Sequence, residues 1–235
     1  MEQKYVIKDG NVAYLDDYFF KEPKSIPEAH AATFEQIDNW FALDKDRVYF
    51  LHNVVEGADP GTFTVLGGYS ITYWAKDRAR AYHFEPSKAA RNIRRIESKS
   101  LDRFAILEGG RFDEYAGDAE RIYRHGRFIR GADAVTFRVM KNACKGEDAG
   151  EPSFDYARDK ARVYYQGRPI TDVSLDTFAA IRLPGVGHQE YGVDGVSGFY
   201  GSYRTGKMAR IAFAELSEAV RAAYLDQLND PHRRG

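Results

Sequence analysis

Three stretches of this chain align without a gap when each is anchored on an aspartate, and that self-similarity limits the fold more than any other feature. Trp40-Phe-Ala-Leu-Asp44-Lys-Asp-Arg-Val48-Tyr49 lies over Glu114-Tyr-Ala-Gly-Asp118-Ala-Glu-Arg-Ile122-Tyr123 and over Asp155-Tyr-Ala-Arg-Asp159-Lys-Ala-Arg-Val163-Tyr164. Each places a β-branched residue four after the aspartate and a tyrosine five after it. The register holds downstream, where His52, Gly126 and Gly167 align, then Val55, Ile129 and Ile170, and then the pairs Thr62-Phe63, Thr136-Phe137 and Thr177-Phe178. Two degraded copies are anchored on Asp77, with Ala81-Tyr82, and on Asp9, with Ala13-Tyr14 and a late Thr33-Phe34. A sixth fragment begins at Tyr191-Gly-Val-Asp194.

The unit has readable chemistry. Val163-Tyr164-Tyr165 favours a strand, Gln166-Gly167 supplies a turn that tolerates positive φ, and Arg168-Pro169-Ile170 resumes an extended run, so each copy contains a hairpin. His125-Gly126 repeats the turn. After it, Asp59, Asp133 and Ser174 can cap a short helix, with Pro60 at a first helical position and the following phenylalanine facing inward. One hairpin cannot bury its apolar face alone, so neighbours must cover it. The expected fold is α+β and mainly β: tandem hairpin-plus-helix repeats forming an extended or curved antiparallel sheet. The copies run approximately 1–39, 40–70, 73–110, 112–145 and 154–183. Residues 184–235 add a partial repeat and, from Ala209 to Leu228, a C-terminal capping helix in the same domain.

The pattern Tyr156-Ala-Arg-Asp159-Lys160-Ala-Arg-Val163-Tyr164-Tyr165-Gln-Gly167, with Gly57-Ala-Asp59-Pro-Gly-Thr62-Phe63, resembles the bacterial DKNYY repeat family. The likeness extends to about Leu183. Departures are Ala81 in place of valine, His52 in place of the turn glycine, and the missing cap after the third hairpin. The resemblance implies no catalytic residues. Some members look like immunity proteins encoded beside secreted toxins, which makes a cognate protein toxin the implied partner.

Charge argues against other partners. Thirty-four Lys and Arg face thirty-five Asp and Glu, so no global field favours nucleic acid, and no uncharged run reaches the roughly twenty residues of a membrane helix. One cysteine, Cys144, excludes an internal disulfide, and the N-terminus lacks a signal-like apolar stretch, so a cytoplasmic location is expected. No cofactor is expected.

Several residues are candidates for more than structure. The repeated aspartates could ligate calcium, but each copy offers one regularly placed carboxylate and no oxygen-rich loop, so a turn or cap bond is the better reading. The six histidines form no pair at helical spacing, which argues against zinc. Gly195-Val-Ser197-Gly198-Phe199 departs from a nucleophile elbow at its last position and reads as a glycine-rich turn. Arg91-Asn-Ile-Arg94-Arg95-Ile96 reads as an amphipathic segment with a solvated basic face. The Gly- and Tyr-rich stretch carrying Tyr191, Asp194, Phe199, Tyr200 and Tyr203 is the candidate partner-binding surface, since tyrosine offers large contact area at small entropic cost. The chain is therefore expected to be a non-enzymatic protein-binding repeat protein. The alternatives are a hydrolase or glycan-active enzyme with a carboxylate site between repeats, and a structural or envelope-associated array.

Overall fold

The computed structural model describes residues 4–15, 22–69, 72–86, 92–107, 114–143, 150–183, 189–201 and 207–229. The chain divides into two compact units, Met1–Ile106 and Leu107–Gly235. In the first, β1 (Tyr5–Lys8), β2 (Asn11–Tyr14) and β3 (Lys24–Ser25) form a three-stranded sheet. β4 (Glu35–Gln36), β5 (Phe41–Leu43), β6 (Val48–Phe50) and β7 (Asn53–Val54) form the next. β8 (Thr64–Tyr69), β9 (Thr72–Lys76), β10 (Ala81–Phe84) and β11 (Ile93–Ile96) form another, and β12 (Ala105–Ile106) ends the unit. The second unit contains β13 (Tyr115–Gly117), β14 (Ile122–Arg124) and β15 (Arg127–Phe128). β16 (Arg138–Lys141), β17 (Pro152–Arg158), β18 (Val163–Tyr165) and β19 (Arg168–Ile170) follow, then β20 (Ala179–Arg182), β21 (Glu190–Val193), β22 (Ser197–Gly201) and β23 (Met208–Ala212). Helix α1 (Glu218–Leu228) closes it.

Register proves the repeat. The tyrosine five after each anchor pairs across the sheet with the alanine two before it, as Tyr49 with Ala42, Tyr82 with Ala75, Tyr123 with Ala116 and Tyr164 with Ala157. In the last copy Phe199 pairs with Gly192. The small partner is required sterically: a Cβ on Gly192 would stand 2.3 Å from the Phe178 ring. The expected turns also form, with His125 and Gly126 at φ 46° and 67°, and Gln166 and Gly167 at 48° and 75°.

Five expectations change. The strands make separate small antiparallel sheets, not one extended sheet. Each sheet is an antiparallel meander, and where it ends the chain turns back through a loop held by side chains and starts a new ladder. The expected helices after Asp59, Asp133 and Ser174 are single turns. Asp133 caps its turn by accepting from the Thr136 amide at 3.0 Å and hydroxyl at 2.7 Å, and strand pairing resumes at Arg138, too soon to repay helix nucleation. Of the expected C-terminal helix only Glu218–Leu228 is α-helical, preceded by a single 3-10 turn at Phe213–Glu215, because Met208–Ala212 is recruited as a strand by β22. Asp9 is no anchor: it is exposed at φ 50° in the β1–β2 turn, the place that Gln166 takes in its own copy. Ile93–Ile96 is likewise a strand rather than a helical face.

The first unit's core gathers Tyr14, Phe41, Tyr49, Phe50, Tyr82 and Phe84. In the second unit, Tyr156, Val163, Phe178 and Phe199 pack together, and Tyr224 and Val220 of α1 cover Ile181 and Val193. Ser217 accepts from the Val220 amide as the α1 cap, and the Tyr224 hydroxyl donates to the Thr177 carbonyl at 3.1 Å.

Candidate functional site

Each anchoring aspartate is the hub of a latch. One oxygen of Asp44 accepts from the Asp46 and Arg47 amides, both at 2.8 Å. The other accepts from the Tyr49 hydroxyl at 2.6 Å and from the His30 amide, in the turn of the preceding copy, at 2.8 Å. Asp77 repeats this with the Ala79 and Arg80 amides, the Tyr82 hydroxyl and the Asp59 amide. Asp159 does so with Ala161, Arg162, Tyr164 and Asp133. Asp194 keeps the Val196 and Ser197 amides and the Ser174 amide.

The Thr-Phe pair completes the latch from the preceding copy. Thr33, Thr62 and Thr136 accept from the Lys45, Arg78 and Lys160 amides, while Phe34, Phe63, Phe137 and Phe178 lie 5.5 to 6.0 Å from Tyr49, Tyr82, Tyr164 and Phe199. Burial alone would raise the carboxyls of Asp44, Asp77 and Asp159, but the bonds they accept outweigh it and hold them below the ordinary value. These aspartates are structural, with their oxygens engaged by backbone and tyrosine.

A different carboxylate set stands out four residues before the anchors. In the second unit that position is Glu114, Asp155 and Glu190 in successive copies; in the first it is Trp40 and Tyr73. The Arg124 guanidinium donates to Glu114 at 2.9 and 3.2 Å, and the Gln166 amide nitrogen donates to Asp155 at 2.8 Å. Glu190, fully buried, accepts from the Ser153 hydroxyl at 2.5 Å, the Asn142 side chain at 3.1 Å and the Asp155 amide at 3.2 Å.

Burial raises the Glu114 carboxyl; Arg124 opposes this, while the Asp155 and Glu190 charges add to it, so the net shift is upward. Asp155 is also raised, by burial first, with Gln166 opposing and Glu190 reinforcing. Burial disfavours the Arg124 charge, but Tyr115, Glu114 and Asp155 more than restore it. The Tyr165 hydroxyl is pushed up to about 12 by burial and by Asp155. Chemically, the upward shifts of Glu114 and Asp155 favour their protonated forms, and Arg124 pairs with Glu114. Sequence reasoning missed it, although lining up the residue four before each anchor would have exposed the switch from aromatic to acidic.

The stretch chosen from sequence as a binding surface is mostly the paired strands β21 and β22. Asp194 is buried as an anchor and Phe199 lies in the core at 1 % exposure, so neither side chain reaches the surface. Tyr191 and Tyr200 are half-buried, paired across the ladder with rings 6.0 Å apart. Tyr203 and Cys144 lie outside the described residues. Ser197 opens β22, and its hydroxyl accepts from Arg210 at 2.9 Å. Arg210 also reaches the Asp172 carbonyl, standing in for the arginine that sits three after the other anchors.

A model of the DKNYY family matches residues 5–203, a span containing every latch and all three clustered acids. The chain belongs to the DKNYY family. No curated protein and no solved structure matches it. Among the described residues, no helix is long and apolar enough to cross a membrane.

Proposed function

We propose that this DKNYY protein is a non-catalytic protein-binding scaffold, and in its most concrete form a cytoplasmic immunity protein that neutralises a cognate bacterial toxin by direct contact. One observation carries the reading: the latch recurs around Asp44, Asp77 and Asp159, while the exposed position two after the anchor changes freely, as Asp46, Ala79, Glu120, Ala161 and Val196. An array with an invariant interior and a variable exterior suits recognition, because surface side chains can diverge without loosening the stack. The resemblance of some family members to toxin-immunity proteins supports the finer form. Titration of the purified protein against the product of its neighbouring gene tests it. Stoichiometric binding with protection of cells is expected, and neither binding nor protection would overturn it.

A second reading has its own support. Glu114 and Asp155 are both raised and occupy equivalent positions in adjacent copies, as a general acid beside a second carboxylate requires. A glycan-hydrolase screen comparing wild type with Asp155→Asn tests it; turnover that the substitution abolishes would favour the enzyme.

A further inference from the structure

Burial sorts the charge of the second unit in a way the near-neutral composition hides. Its clustered acids point inward: Asp155 and Glu190 are buried, and the Glu114 side chain is 13 % exposed. Bases are left outside. Arg127, Arg130 and Arg168 are exposed, and among the described residues none of the three forms an ion pair. Arg124, Lys160 and Arg162 differ, being held by Glu114, Asp133 and the Gly131 carbonyl.

Register brings the free arginines together. Arg127 follows Gly126 and Arg168 follows Gly167, so both open the outer strand of their hairpin at the same repeat position, opposite Arg124 and Tyr165. The two hairpin tips adjoin, since a Cβ on Gly167 would meet the Arg124 side chain at 3.5 Å and Ile129 at 3.4 Å. Beside Arg127 lies Phe128, 48 % exposed, with the Arg121 guanidinium 5.5 Å from its ring centre and the Tyr123 ring 5.9 Å away. Arg130 is exposed in the turn that follows this strand, and Pro169 is exposed next to Arg168.

We propose that this edge, formed by Arg127, Phe128 and Arg130 of one copy and Arg168 and Pro169 of the next, docks an acidic segment of a partner protein. The inference rests on the protein-binding reading and gives the partner its chemistry. Guanidinium forks match carboxylates in two-point contacts, and an exposed aromatic held by its neighbours is the usual anchor at the centre of a protein interface. Nucleic acid fits less well, because the patch is short and the chain as a whole carries no positive field to hold a polyphosphate.

The test measures fluorescence anisotropy of a labelled glutamate- and leucine-rich peptide, its lysine-rich counterpart and a single-stranded oligonucleotide on the full chain. The acidic peptide should bind best and weaken as salt is raised. The triple variant Arg127→Glu/Arg130→Glu/Arg168→Glu should weaken it by about tenfold or more, with its unfolding curve unchanged because these three side chains are exposed, and Phe128→Ala should weaken it by less. No binding of the acidic peptide, equal binding by the triple variant, or tighter binding of the oligonucleotide overturns the proposal. The product of the neighbouring gene separates two failures. If the triple variant still binds it, this surface is wrong and the binding reading stands; if the wild type does not bind it, the binding reading itself fails.

Discussion

The two units use one backbone position in opposite ways. Four residues before the anchor, the first unit places Trp40 and Tyr73, whose rings lie 5.4 Å apart, so successive copies meet through aromatic packing. The second places Glu114, Asp155 and Glu190, whose charges must be offset by Arg124, Gln166, Ser153 and Asn142. The backbone around the position is the same, with the Leu51, His125 and Gln166 amides donating to the Trp40, Glu114 and Asp155 carbonyls at 2.7 to 3.0 Å. The latch therefore builds the repeat, and this position is free to vary. A buried charged network rarely stabilises more than apolar packing of similar volume, so stability alone does not explain the acids of the second unit.

Removing what the units share should have the largest effect. Asp77→Ala and Asp159→Ala each strip four buried or half-buried donors of their acceptor, and each should cost about 3 to 5 kcal/mol in urea unfolding, equally in the two units. A latch that mattered in only one unit would break the comparison. Removing what differs should cost less. Glu190→Gln keeps the shape but turns an amide toward the Asn142 and Ser153 donors, for about 2 to 3 kcal/mol. No change from Glu190→Gln would mean that the acidic network is incidental.

The smallest effect depends on pH, and its sign separates the two kinds of carboxylate. Asp44, Asp77 and Asp159 are lowered, so their contribution is present above the unfolded aspartate value of about 4 and is lost as pH falls through their lower folded values. Asp155 is raised, so its contribution is present below about pH 4 and is lost as pH rises through its higher folded value. Asp155→Asn keeps an acceptor for Gln166 and removes that ionisation. It should stabilise the protein by about 1 kcal/mol at pH 8 and by nothing near pH 4. A gain that is the same at both pH values would show that Asp155 does not titrate differently on folding.

The hairpins were legible before any coordinates, because Gln166-Gly167 and His125-Gly126 are local chemistry and the Val-Tyr spacing is strand chemistry. The capping helix was half legible. Its last eleven residues form as the pattern suggests, while the stretch before them obeys β22, which no local signal announces. The Thr-Phe pairs were found but assigned to the wrong partner: they serve the following anchor, and the separation from Thr33 to Asp44, Thr62 to Asp77 and Thr136 to Asp159 varies too much to show in an alignment. The clustered acids leave no mark on the anchor columns of the repeat; they show only four residues earlier, where Glu114, Asp155 and Glu190 take the place of Trp40 and Tyr73.

Sequence alone determined that one small unit recurs, where its turns fall and that the anchoring aspartates bond to nearby backbone, since contacts within a turn are written into spacing. Tertiary structure alone decided that the strands close into separate sheets, that three acids meet in the interior and that arginines from neighbouring copies share an edge. Those outcomes depend on which copy lies against which, through loops of unequal length. Spacing along the chain carries no record of contacts made across them.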